Sequence, residues 1–153
     1  YKLDGVDDAA LERIITAAQC APSAGNRQPV VFYVVCDAGT RRGLLDAYNQ
    51  EFLAQAPVAV VACANPGRAW KRSDGKCYSD VDVSIAMDHL VLAATAEGLG
   101  TCWIGAFKPD VVRELLQIPD HLEPVAMTPI GVPDDEGPVP SPRKPIEEIV
   151  KYK

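Results

Sequence analysis

Ala21-Pro22-Ser23-Ala24-Gly25-Asn26-Arg27-Gln28-Pro29 stands between an amphipathic helix pattern and a run of strand-forming residues. Two prolines bracket it, and each biases the residue before it away from helical geometry. Between them lie a glycine, a hydroxyl and two carboxamides. The segment reads as a tight turn with Ser23, Asn26 and Gln28 as polar edges. One reading is a helix end followed by a turn in which Ser23 and Asn26 bond their own backbone. The other is a rigid polar edge beside an apolar strand. Such an edge suits a flat heteroaromatic ligand, which needs a few fixed hydrogen bonds and apolar walls. On this segment alone the first reading is the simpler.

Upstream of the turn, Asp7 is a candidate N-cap for a helix running to about Cys20, with Leu11, Ile14, Ile15 and Ala18 on one face. Downstream, Val30 to Cys36 is β-branched and aromatic and reads as a strand. Thr40 to about Leu53 reads as a helix, and Val58 to Ala62 as a second, buried strand introduced by Pro57. Asn65 to Gly75 is a polar loop of the size often found in lids. Within it Trp70 is read equally as a plug over the core or a wall for a ligand. The basic cluster Arg68, Lys71 and Arg72 is most simply a solvated loop.

Ser79 to Glu97 is the longest helix pattern, and from Ile85 to Ala96 it is apolar on nearly every face. A domain of 153 residues has little room to cover such a helix alone. A subunit interface would supply the second buried side. Gly98-Leu99-Gly100 ends the helix. Thr101 to Ile104 is a short strand pattern, and Pro109 opens a further helix. Pro124 to Ile130 reads as a strand whose prolines favour an edge or an irregular segment. From Pro133 to Pro145 five of 13 residues are proline, which reads as an extended arm laid along a surface. At about 3.1 Å per residue it would reach roughly 40 Å, enough to cross to a neighbour. Ile146 to Val150 closes as a short helix. Helices with few strands and no repeats predict an α+β fold with one sheet in a single domain over 1–153.

The hydrophobic fraction of 48% allows a real core. A net charge of −6 argues against a general nucleic-acid or anionic-membrane surface. No apolar run approaches the roughly 20 residues that span a membrane. The five cysteines lack C-x-x-C spacing. Cys20, Cys36, Cys63 and Cys102 read as small core residues and Cys77 as the exposed thiol, a pattern that suits a reducing cytoplasm. Two separated histidines, His89 and His121, make no metal site. Gly98 and Gly100 begin a G-x-G-x-x-G, but Trp103 takes the place of its third glycine, and there is no P-loop.

The order Pro-Ser-Ala-Gly-Asn-Arg-Gln-Pro followed by a strand resembles the flavin-binding segment of the nitroreductase family. Glu97-Gly98-Leu99-Gly100-Thr101-Cys102-Trp103-Ile104-Gly105-Ala106-Phe107 resembles a second segment of that family. Pro129-Ile130-Gly131-Val132-Pro133, then Pro142-Arg143-Lys144-Pro145, resembles its ending. The three matches fall in the family's order and span essentially the whole chain. The resemblance implies a nitroreductase-like α+β fold, a single mixed β-sheet flanked by helices, in an intertwined homodimer. It implies FMN as cofactor, NAD(P)H as reductant, and a nitroaromatic, quinone or similar small acceptor reduced by ping-pong hydride transfer through flavin N5. Alternatives are a non-catalytic flavin-binding or regulatory domain, a reductive dehalogenase, or a flavin-fragmenting relative.

Carried residue by residue, the resemblance assigns Asn26 to the pyrimidine edge, which needs both donor and acceptor. Ser23 would bond flavin or phosphate, Pro22 would pack on the ring, and Gln28 would bond the flavin or, preferably, brace the turn. In Trp103-Ile104-Gly105-Ala106 small residues let backbone approach a planar ring, and the resemblance brings an amide of Gly105 or Ala106 near N5. Trp103 would stack on the ring or join the core. Arg143, held between prolines, suits bidentate phosphate binding, with Lys144 in reserve. No protein acid or base is obligatory, so no catalytic side chain is assigned. The family usually carries an Arg-Arg-Ser-x-Arg type segment before the first helix. The chain begins at Tyr1, about where that segment would end: either those residues lie upstream of residue 1, or the flavin site is incomplete and FMN binds weakly or not at all.

Overall fold

A computed structural model of the chain describes residues 1–2, 4–134 and 141–153. The middle of the expected proline-rich arm, residues 135–140, lies outside the described residues. Four strands form one sheet: β1 (Val30–Val35), β2 (Val58–Ala64), β3 (Gly100–Thr101) and β4 (Glu123–Gly131), in the spatial order β1-β2-β4-β3. Six helices are described: α1 (Asp8–Gln19), α2 (Ala38–Gly43), α3 (Phe52–Gln55), α4 (Ser79–Ala96), α5 (Pro109–Leu116) and α6 (Ile146–Ile149). The expected single sheet flanked by helices is present.

Strand β2 is the middle of the core, and all seven of its residues are buried. Alternation along it divides two layers. Val58 and Val60 pack with Ile14 and Ala18 of α1 and Leu90 of α4. Ala62 and Ala64 pack with Val83 and Met87 of α4. Ala59, Val61 and Cys63 point the other way, among Leu44, Leu53, Val112 and Met127. Burial in this second layer pushes the Cys63 thiol up to about 11. Cys20, Cys36 and Cys102 are exposed and Cys77 half-buried, which corrects the expectation of four core cysteines and one exposed thiol. Each of the three exposed thiols lies just past the end of a helix or strand, where the chain leaves the core.

All three strand pairings are antiparallel, where a mixed sheet was expected. The β2-α4-β3 unit does run its two strands the same way, since both are antiparallel to β4. However, β4 inserts between them, so the parallel relation never becomes a neighbour relation. This insertion also makes β4 an interior strand despite Pro124 and Pro129, which were expected to favour an edge or an irregular segment. Pro124 falls at a bulge, where the register with β2 shifts between Ala62 and Cys63. Met127 N–H bonds Ile104 on the β3 side, so the missing N–H of Pro129, two residues on, also faces that side. There it meets the break in β3, where the Thr128 hydroxyl accepts from Cys102 N–H at 3.1 Å and donates to the Pro129 carbonyl at 3.0 Å. The expected strand Thr101 to Ile104 is therefore two residues of ladder, a break, and one bridge between Ile104 and Met127.

Asp7 caps α1 as expected, accepting from Ala10 N–H at 3.1 Å. Arg13 of α1 forms a two-pronged ion pair with Glu97 at the end of α4, at 2.8 and 2.7 Å. The single helix expected from Thr40 to Leu53 is two short helices with a 3-10 turn at Leu44–Asp46. A side chain at Gly43 would begin 2.9 Å from Leu115 of α5, so α5 packs against α2 here by close approach. Helix α4 keeps its expected span to within one residue. Its inner face, Val83, Met87, Leu90 and Ala94, is buried, and its outer face carries exposed Val81 and Leu92. No helix among the described residues is long and apolar enough to cross a membrane.

Candidate functional site

The turn before β1 is held in an uncommon shape. Gly25, Asn26 and Gln28 all have positive φ, at 59°, 53° and 50°. Glycine adopts this region freely and asparagine tolerates it, whereas Gln28 there is strained. Such strain persists only where the surroundings over-determine the backbone. The Ser23 hydroxyl accepts from Gln28 N–H at 2.9 Å, and the Ser23 carbonyl accepts from Asn26 N–H at 2.9 Å. Gln28 Nε2 donates to Asn26 Oδ1 at 3.0 Å. Gln28 thus bonds within the turn. The Asn26 amide group and the Ser23 hydroxyl hydrogen stay available, and Pro22 forms the apolar side of the turn.

A carboxylate inside the protein anchors the turn from below. Asp82, in the first turn of α4, is 1% exposed, and its Oδ1 accepts from Ala24 N–H at 2.8 Å. Its Oδ2 is buried with no hydrogen-bond partner. Asp82, Pro22, Ser23 and Gln28 line a groove of about 640 Å³ between α1, α4 and the outer part of β1. Sequence reasoning passed over Asp82. Its signal was an acid at i−4 from Ala86 and i−8 from Leu90, which places it on the buried stripe of the helix.

The polar loop that follows β2 is a small hairpin. Tyr78 N–H bonds Trp70 O at 3.0 Å, Lys71 and Cys77 pair across it, and Arg72 N–H bonds Lys76 O at 2.9 Å. Its tip turns at Gly75, with φ of 89°. Arg72 and Asp74 form a bidentate pair closing to 2.6 Å, and Arg72 also donates to the Tyr78 hydroxyl at 3.3 Å. The guanidinium, and then the Lys76 N–H, hold the Asp74 carboxyl below its ordinary value. This clamp is complete above the ordinary aspartate pKa of about 4 and is lost as acid protonates Asp74. Trp70 meets Tyr78 edge-on at 5.0 Å, and its Cδ1 lies 3.6 Å from where a Gly25 side chain would begin. Asn65 N–H bonds Pro29 O at 2.8 Å. Trp70 therefore packs on the turn rather than plugging the sheet.

The second predicted segment sits at the opposite edge of the sheet. Ile104 is 3% exposed, and both its N–H and its carbonyl are engaged by Met127, at 2.8 and 2.9 Å. Its part is to hold its neighbours in place. Trp103 is 45% exposed, and nothing lies within 4 Å of where a Gly105 side chain would begin. The Gly105 N–H is not engaged by any described residue. The two segments do not meet within one chain. β2 and β4 lie between them, three strand spacings or about 14 Å across the sheet. Along it, Val30 pairs with Ala64 while Ile104 is linked through Met127 to Val61, a further offset of roughly 10 Å. Arg143 and Lys144 are exposed, and the Arg143 guanidinium bonds only the carbonyls of Ser141 and Pro142, both at 3.3 Å. No described residue from 141 to 153 is buried. Among the described residues no group of three or more His, Cys, Asp and Glu could hold a metal ion.

The sequence matches the family model described as "Nitroreductase family" over residues 1–49 and 42–132. It is 34% identical over 136 residues to a putative NADH dehydrogenase/NAD(P)H nitroreductase of Archaeoglobus fulgidus, covering 86% of this chain and 76% of that protein. It is 32% identical to the FMN reductase [NAD(P)H] of Bacillus subtilis, covering 97% of this chain and 66% of that one. Its fold superposes on a nitroreductase family protein of Clostridium difficile with a TM-score of 0.88 at 35% identity, over 99% of this chain and 90% of that chain.

Proposed function

The chain belongs to the nitroreductase family, and from that premise we propose that it is an FMN-dependent oxidoreductase drawing electrons from NAD(P)H and passing them to a small acceptor such as a nitroaromatic or quinone. The observation that carries this reading is the donor set on two rigid supports. On one support Asn26 and Ser23 offer an amide and a hydroxyl from an over-determined turn. On the other, open space at Gly105 and its free N–H allow a planar ring to come close to backbone. These residues fit a flavin, which when bound supplies the hydride chemistry at its N5.

The chain's own part is to bind, orient and shield. Asn26 serves the pyrimidine edge through its free amide, with Gln28 fixing its carboxamide plane. Ser23 and Pro22 flank the ring. Gly105 N–H donates toward N5, and Trp103 shields the open face. Arg143, with Lys144 beside it, meets the phosphate. Because the turn and the Gly105 segment lie on opposite edges of one sheet, they enclose a common ring only if each comes from a different copy. The assembly that satisfies this is a homodimer with its seam along the outer face of α4.

The test is an anaerobic titration of the full-length protein. FMN binds by calorimetry, NADPH or NADH bleaches the flavin band, and steady-state turnover gives parallel double-reciprocal lines, since donor and acceptor use one site in turn. Absence of FMN binding, or intersecting lines, sinks the reading. Arg143→Ala separates the phosphate role from the ring. It is expected to weaken FMN by about 1.5–3 kcal/mol, roughly ten- to a hundredfold, while riboflavin binding stays unchanged. An equal loss for both ligands would move Arg143 away from the phosphate.

A further inference from the structure

The 70–78 hairpin does more than brace the turn. Residues 65–78 hold four cations and one acid, in a chain whose net charge is −6. The acid, Asp74, is committed to Arg72, and Arg72 also bonds the Tyr78 hydroxyl. Lys76 Nζ lies 5.9 Å from the Tyr78 ring. These two cations build the hairpin. Arg68 and Lys71 are different: both are exposed, and neither side chain makes a hydrogen bond or ion pair among the described residues. Arg27, in the turn itself, is exposed in the same way. The hairpin and the turn are one body. Trp70 Cδ1 and Arg27 Nε both lie within 4 Å of the point where a Gly25 side chain would begin.

We propose that the 65–78 segment selects NADPH over NADH, with Arg68 and Lys71 meeting the 2′-phosphate of the dinucleotide; the proposal rests on the NAD(P)H-dependent function given above. The 65–78 segment borders the turn that carries Asn26, through Trp70 at Gly25 and Asn65 at Pro29, so its unpaired cations are neighbours of a molecule stacked on a ring bound there. NADPH carries there a phosphate monoester of about −1.5 to −2 charge, and NADH carries a hydroxyl. A net-negative protein repels such a polyanion at long range, so local unpaired cations decide whether it can dock. Arginine grips phosphate as a planar fork and lysine as a point charge, and the 65–78 segment supplies one of each. The Arg72–Asp74 clamp fixes the hairpin without drawing on those two side chains.

The experiment compares the full-length protein with an Arg68→Ala, Lys71→Ala double variant, both loaded with FMN. The ratio of kcat/KM for NADPH to that for NADH is expected to fall about tenfold or more. Calorimetry with adenosine 2′,5′-bisphosphate against 5′-AMP reads binding without turnover. The bisphosphate should bind more tightly to the unsubstituted protein, and the difference should vanish in the double variant. An unchanged ratio, with reduction by both nucleotides intact, overturns this proposal alone. A loss of FMN affinity relative to riboflavin overturns it too, because the hairpin would then hold the flavin's own phosphate. If neither nucleotide reduces the unsubstituted protein, the oxidoreductase reading falls and this proposal falls with it.

Discussion

Leu92→Glu is expected to turn the homodimer proposed above into a folded monomer that no longer retains FMN. Leu92 is 61% exposed on the outer face of α4, in line with exposed Val81 and half-buried Ile85. These apolar residues lie roughly one or two turns apart on one stripe. A second copy packed on that stripe would bury two glutamates, one from each chain. An unpaired carboxylate in a desolvated interface costs several kcal/mol. Asp88, one turn away, adds repulsion. The inner face of α4, with Val83, Met87 and Leu90, is untouched, so the protomer keeps its helix content. Light scattering at low micromolar concentration reads the mass, circular dichroism the fold, and the flavin absorbance of the desalted protein the cofactor. A variant that stays dimeric and yellow removes α4 from the seam.

Met127→Ala is expected to cost about 2–5 kcal/mol of stability. Met127 has no exposed surface and fills the layer between β4 and α5 with Val61 and Val112. At this chain length each kcal/mol is worth roughly 2–4 °C of melting temperature. A drop of roughly 5–20 °C should follow. The same residue clasps Ile104 through both backbone bonds. Loosening it should therefore lengthen the reach of Trp103 and Gly105 and weaken FMN binding as well. Thermal melts with and without FMN separate the two losses. A change below about 1 kcal/mol would mean that the layer collapses onto the missing side chain.

Much of the fold could be read from residue pattern because the strongest elements are locally consistent. The Asp7 cap and its apolar stripe set α1, the Val-rich run set β1, and the unbroken apolar pattern set α4. The departures share a cause: tertiary contacts that no local window contains. Gly43 has to be glycine because Leu115, 72 positions later, packs where its side chain would begin. Pro129 sits inside the sheet because β3 happens to break opposite its missing N–H. The candidate site divides in the same way. The turn was legible because its prolines, glycine and carboxamides are contiguous. Asp82 was not, because a single acid in a helix becomes an anchor only once Ala24 arrives above it. The order of the hairpin was hidden too, since Trp70, Arg72, Asp74 and Tyr78 look like polar-loop composition until they pair.

The outermost strand carries one more consequence. β1 is an edge of the sheet, with no strand on its outer side among the described residues, and its sequence Val-Val-Phe-Tyr-Val-Val holds no charge and no proline. Val31 and Val34 on it are exposed. Most edge strands are guarded by a lysine, a proline or a bulge, and this one has only Pro29 just before it. A six-residue, uncharged, β-branched segment of this kind is a template for runaway strand addition. Dilution, loss of cofactor or a weakened seam should show first as turbidity, with β1 as the segment that becomes protected from proteolysis in the precipitate.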